Sequence, residues 1–182
     1  PAFVAADLLS QAEHGTDSQV VLVTSSEQII KEVLAEVEIQ KKLLPRVKEI
    51  ESSLGNSKCI LLKDIESCFS LLNEYAPEHL IIASQNALQL SNLVINAGSV
   101  FLGNFSPESA GDYVSGTNHT LPTNGYAKAY SGVSLDSFIK KVTFQELTHE
   151  GLMGISEAIG ALADAEGLLA HKNAVLKRIE NK

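Results

Sequence analysis

The fold class this sequence predicts is α/β: a layered, mainly parallel sheet with flanking helices, followed by a helical C-terminal appendage. Three observations predict it. Short continuous apolar runs, such as Val20 to Val23 and Leu80 to Ala83, suit strands buried on both faces of a parallel sheet. Stretches with helical spacing stand between those runs. After Gly132 the composition changes, and apolar stripes continue without further strands to pack on.

In chain order, Phe3, Val4, Leu8 and Leu9 place a helix over Pro1 to Glu13, and Gly15 is expected to end it as a C-cap. Val20 to Val23 is the first strand. Ser25 or Ser26 caps a helix carrying Ile29, Ile30, Val33, Leu34, Val37 and Ile39 towards Leu44. Pro45 breaks it, and a further helical piece leads to Gly55. Cys59 to Leu62 reads as a second buried strand, and Asp64 caps a helix reaching about Glu74. Leu80 to Ala83, a short helix over Ala87 to Asn96, and Val100 to Leu102 follow. Phe138 to Phe144 reads as a short strand or an extended arm. Thr148 to Glu166 and Leu168 to Glu180 read as two helices joined near Gly167.

The chain has 182 residues, 45% hydrophobic and 20% charged, with a net charge of −8. These numbers suit a globular protein, and the absence of a basic stripe argues against nucleic-acid binding. No apolar run is long enough to span a bilayer, and no signal peptide is evident. Cys59 and Cys68 are too few for a disulfide framework and read as reduced core residues of a cytoplasmic protein. The start at Pro1, without Met and already inside a helix, suggests a cut boundary.

Gly98 to Thr123, GSVFLGNFSPESAGDYVSGTNHTLPT, opens as a strand and then follows neither helical nor strand periodicity. An irregular stretch of this length is usually functional or disordered, and this one is too poor in charge for disorder. It offers Glu108, Asp112, Asn118 and His119, with Gly103, Gly111 and Gly116 allowing close backbone approach. Elsewhere, Gln11 and His14 project from one face of the first helix, a spacing that suits two metal ligands or simply a polar helix end. Glu78 and His79 stand together at the start of a strand, as an acid-base pair or a solvated turn. Glu166 and His171 flank the Gly167 break. By themselves these residues reach an α/β domain with a His/Asp metal site, and no P-loop, GxGxxG, CxxC or HExxH motif extends that.

The strings LLSQAEHG, YAPEHL, SAGDYVSGTNHTLPT and AEGLLAH, in this order along the whole chain, resemble the histidinol dehydrogenase family. The resemblance implies the C-terminal part of an enzyme that oxidises L-histidinol to L-histidine in two NAD-dependent steps, with zinc in the site. It implies the C-terminal half of a Rossmann-like domain over residues 1–133 and a helical dimerisation tail over 134–182. Carried over by motif, the zinc ligands are Gln11, His14, Asp112 and His171. The same residues line the substrate site, together with His79, His119 and Glu166. Glu78 and His79 form the acid-base pair. In the family homodimer the tails cross, so Glu166 and His171 serve the neighbouring subunit's site. Most NAD contacts are expected upstream of Pro1, which leaves the isolated chain inactive. Thr16 stands where the family usually has Pro, with only a local turn effect expected.

One tension accompanies these expectations. Ligands in open α/β sheets usually sit at the carboxyl ends of strands. Here His14, Glu78 and His79 lie where strands begin, whereas Asp112 follows a strand. Either the 103–120 loop travels around the sheet, or one strand is antiparallel. Two other functions compete: an inactive helix-exchanged dimer module, and a metal-dependent hydrolase using His14, Asp112 and His171.

Overall fold

The computed structural model describes residues 1–180. Two compact units divide the chain, Pro1–Phe138 and the part that begins at Ile139. The first unit alternates helices and strands: α1 (Ala2–Ala12), β1 (Val21–Thr24), α2 (Glu27–Gln40), α3 (Val47–Asn56), β2 (Lys58–Leu61), α4 (Ile65–Tyr75), β3 (His79–Ile82), α5 (Ala87–Leu90), β4 (Ser99–Leu102) and α6 (Glu108–Tyr113). The second carries α7 (His149–Ala165) and α8 (Leu169–Glu180).

The strands form two separate two-stranded sheets, β1–β2 and β3–β4, both parallel. An antiparallel strand is therefore not the answer to the tension at the candidate site. In the second sheet His79 lies opposite Ser99 and Ile82 opposite Leu102, so His79 begins its strand.

Each sheet has its own apolar cluster. The first gathers Ala5, Leu9 and Ala12 of α1, Val20, Leu22, Val33 and Val37 of the β1–α2 segment, and Ile50 of α3. The second is smaller, with Phe69 of α4, Leu80, Ile82 and Ala87. Capping fixes where two of the helices start. The Ser26 hydroxyl accepts from the Ile29 amide at 3.4 Å, and the Asp64 carboxylate accepts from the Ser67 amide at 2.8 Å.

Four local expectations are corrected. Gly15 does not cap α1: the helix ends at Ala12 with Glu13 still right-handed at φ −78°. The second strand is mostly exposed rather than buried, because β2 pairs only with β1 and no described element covers its outer face. Cys59 is accordingly exposed, while Cys68 is buried as expected. The long stretch after β4 is not wholly irregular, since Glu108–Tyr113 form α6. Gly111 conceals that helix from a propensity reading, yet a Cβ there would lie 2.5 Å from Phe101 Cε1. Glycine is what lets α6 lie directly against the β4 side chain. Of the two readings of 138–144, a strand or an extended arm, no strand forms and the exposed residues are left as the arm after a 3₁₀ turn over Leu135–Ser137.

Candidate active site

Three segments of the first unit converge on one polar cavity of about 260 Å³. The end of α1 and the residues after it supply Gln11, His14, Ser18 and Gln19. The start of β3 supplies Glu78 and His79, and the segment after β4 supplies Asp112 and His119. The expected residues Gln11, His14, Glu78, His79, Asp112 and His119 are thus brought together. Glu166 and His171 belong to the second unit. Glu166 caps the end of α7, Gly167 takes φ +72°, and His171 sits in the first turn of α8.

The route of the chain after β4 accounts for the placement of Asp112. The Gly103 amide bonds to the Ile82 carbonyl at 3.0 Å, closing the carboxyl end of the sheet. The chain then turns back, and α6 packs along Phe101 towards the amino end of β3. His79 Nε2 and Asp112 Oδ1 come within 3.7 Å, although one begins β3 and the other follows β4. The loop travels around the sheet, and the site forms at the amino ends of the strands.

His79 is held by Phe101, whose ring centroid lies 6.0 Å away. Its side chain is only 9% exposed. Burial lowers its pKa below the usual histidine value and His14 adds to that, while Glu78 and Asp112 pull the other way. The imidazole is therefore held neutral at neutral pH, ready to accept a proton.

Glu108, one helical turn before Asp112, was among the polar groups the loop offered but was given no role there. It is 2% exposed. Its Oε1 lies 4.0 Å from His79 Nε2, and its Oε2 accepts from the Ser10 hydroxyl at 3.3 Å. That hydroxyl is also 3.1 Å from the Asp7 carbonyl. Burial, followed by a hydrogen bond shared with Asp112 and that group's charge, pushes the Glu108 carboxyl up to about 7. The Ser10 hydroxyl pulls it back down. The only sequence signal for Glu108 was its four-residue spacing from Asp112, which becomes informative once the segment is known to be helical.

The donor atoms His79, Glu108 and Asp112 offer lie within 4.8 Å of one another. Gln11 Nε2, His79 Nε2 and Asp112 Oδ1 are buried without a hydrogen-bond partner. Buried polar atoms are nearly always satisfied, so this set calls for a bound group to complete it. Imidazole nitrogen and carboxylate oxygen are donor types that Zn²⁺ takes, and the amide of Gln11 can add a neutral oxygen. Gln11, His14 and Asp112 thus fit a zinc ion in donor chemistry.

An α/β scaffold of parallel strand pairs thus gathers imidazole, amide and carboxylate groups around one cavity, three of whose donors lie close enough to share a metal ion. The family model for histidinol dehydrogenase matches residues 1–179, and the chain belongs to the histidinol dehydrogenase family. It is 63% identical over 180 residues to histidinol dehydrogenase of Bacteroides fragilis, covering 99% of this chain and 42% of the relative. The Colwellia psychrerythraea histidinol dehydrogenase is 53% identical over 180 residues, with the same coverage. The crystal structure of histidinol dehydrogenase from Elizabethkingia anophelis superposes with a TM-score of 0.90 at 58% identity, over 99% of this chain and 42% of that one. The chain thus spans about two-fifths of the length of these relatives.

Proposed function

We propose that this chain carries the acid-base and metal-holding residues of an enzyme that oxidises L-histidinol to L-histidine through the aldehyde, using zinc and NAD. The observation that carries this reading is the convergence of Gln11, His14, His79 and Asp112 on one cavity, with three of the four presenting buried, unpartnered polar atoms. Gln11, His14 and Asp112 hold the zinc, with His171 as the further ligand. A zinc ion held there would supply Lewis-acid attraction for the amine and imidazole nitrogens of the substrate.

The protein's own groups manage the protons. His79, neutral because it is buried, accepts the proton of the substrate alcohol at Nε2, the atom left without a partner. Glu78, beside it on the same cavity, accepts a proton from the water that adds to the aldehyde carbon. His119 and Glu166 complete the substrate contacts. The β1–α2 turn, Ser25-Ser26, and the β3–α5 turn, Ala83 to Asn86, carry no glycine to admit a pyrophosphate against a helix N-terminus. No residue of this chain is therefore assigned to NAD.

The second unit, in this reading, is a dimerisation tail that exchanges with a second copy of the chain and delivers Glu166 and His171 to that copy's site. Its helices and the link between them expose Met153, Ile155, Leu162, Leu168 and Leu169, each between 40% and 67%. Apolar faces of this kind are covered when a second copy docks. Among the described residues no helix is long and apolar enough to cross a membrane. The free thiols Cys59 and Cys68 suit a cytoplasmic setting.

The test joins this chain to the preceding residues of the Bacteroides fragilis relative and follows NADH formation from L-histidinol. The chimera is expected to turn over with zinc and to lose activity in Asp112→Ala and His79→Ala, while the chain alone stays inactive. A zinc-loaded, folded chimera that forms no NADH overturns the reading. Light scattering that finds only monomer overturns the tail exchange.

A further inference from the structure

We propose that Glu108 is a positioning residue that clamps the two halves of the metal-holding set to each other. This rests on the zinc reading above, and it concerns how the donors are held rather than which they are. The donors come from separate elements: Gln11 from α1, Asp112 from α6. Among the described residues, Glu108 is the one charged side chain that is buried, and it stands between those two elements. Its Oε2 accepts from Ser10, the residue next to Gln11 in α1. Its Oε1 faces His79 at 4.0 Å. Four residues on, one turn along the same helical face, is Asp112, with a carboxylate oxygen within 4.8 Å of that of Glu108.

Groups behind a metal ligand fix its rotamer and distance, and removing one commonly costs about 10–100-fold in metal affinity. An α6 of only six residues has few other anchors. One carboxyl that reaches both α1 and Asp112 gives the short helix a fixed angle to α1. The clamp requires reach and two hydrogen-bonding atoms rather than charge. Glutamine provides both, since its oxygen accepts from Ser10 and its amide donates to Asp112. Aspartate provides the charge without the reach.

The test is competition for Zn²⁺ between this chain and a chromophoric chelator, with Glu108→Ala, Glu108→Gln, Glu108→Asp and Asp112→Ala in parallel. The alanine and aspartate variants are expected to bind zinc about 10–100-fold more weakly, and the glutamine variant within about threefold of the parent. Rescue by glutamine but not aspartate is the signature of positioning, which a merely structural carboxylate would not give. If alanine does not fold, the aspartate and glutamine pair decides. Parental affinity in the aspartate variant, or glutamine as weak as aspartate, overturns the proposal. If Asp112→Ala also binds like the parent, the zinc ligand assignment itself has failed. If Asp112→Ala loses zinc and the Glu108 variants do not, only the clamp has.

Discussion

The two apolar clusters of the first unit are built differently. Around β1 the chain buries eight apolar residues, with Ala5, Ala12, Val33 and Ile50 at 0% exposure. Around β3 it buries four, none below 5%. The second sheet uses the space next to its core for other purposes: α6 closes on Phe101, and His79 and Glu108 occupy positions that an ordinary core would fill with aliphatics. The first cluster holds the fold, and the second has given up apolar burial to seat titratable groups. Polar atoms left unsatisfied in a dry setting cost stability, and such a cost is typical of functional sites.

The largest effect tests that contrast directly. Ile50→Ala, at a site with no exposure, is expected to cost about 4 kcal/mol, and Ile82→Ala in the second cluster about 2–3 kcal/mol. Urea unfolding of the two variants, followed by circular dichroism, measures both. An Ile82→Ala loss equal to or above that of Ile50→Ala would mean that the second cluster is as deep a core as the first.

A pH series sharpens the same point. Glu108 has its carboxyl raised from 4.5 to about 7 in the folded chain, mainly by burial. The folded state therefore binds more protons than the unfolded state between those values. The stability linked to this group is complete below pH 4.5 and falls away as pH rises through 7. Glu108→Gln has no such proton to lose. With a chelator present, the variant is expected to gain on the parent between pH 5 and pH 8, by at most about 3 kcal/mol. A difference that stays flat across that range would mean that Glu108 is ionised and well solvated.

What the sequence disclosed follows from how each feature is encoded. Helices with regular apolar spacing, such as α2 and α7, were legible because burial of one face writes a period into the chain. The caps Ser26 and Asp64 were legible because the side chain acts on amides only three residues away. Cys59 to Leu62 misled because an apolar run records hydrophobicity, not whether an element of this chain covers it. The helix α6 was hidden because Gly111 serves packing against Phe101 rather than helix propensity. Gln11, His14, Glu78, His79, Asp112 and His119 were found through motif strings. Spacing alone left each of them with an ordinary surface or turn explanation. Glu108 was noticed in the loop but given no role, because its importance depends on a return path that no local pattern encodes.

Gly111→Ala probes the close approach on which that return path depends. The new methyl would meet Phe101 Cε1 and Thr117 Oγ1, each at 2.5 Å. Relief requires α6 to shift away from β4, at an expected cost of about 1–3 kcal/mol. Because α6 carries Asp112 and Glu108, zinc affinity should fall with stability. A variant of parental stability and zinc affinity would show that the contact yields cheaply and that α6 is not held by it.

The smallest expected effect returns to the first cluster. Ser26 caps α2 through a long bond, 3.4 Å to the Ile29 amide, and that amide lies at a half-buried helix end within reach of water. Ser26→Ala is therefore expected to cost only about 0.5–1 kcal/mol. The helix is held instead by Val33 and Val37, buried against α1 and β1. Thermal melting of Ser26→Ala beside Ile50→Ala separates the two contributions. A comparable loss in both would mean that the cap, and not the packed face, fixes α2. In that case eight buried residues would no longer explain why the first region is the firmer one.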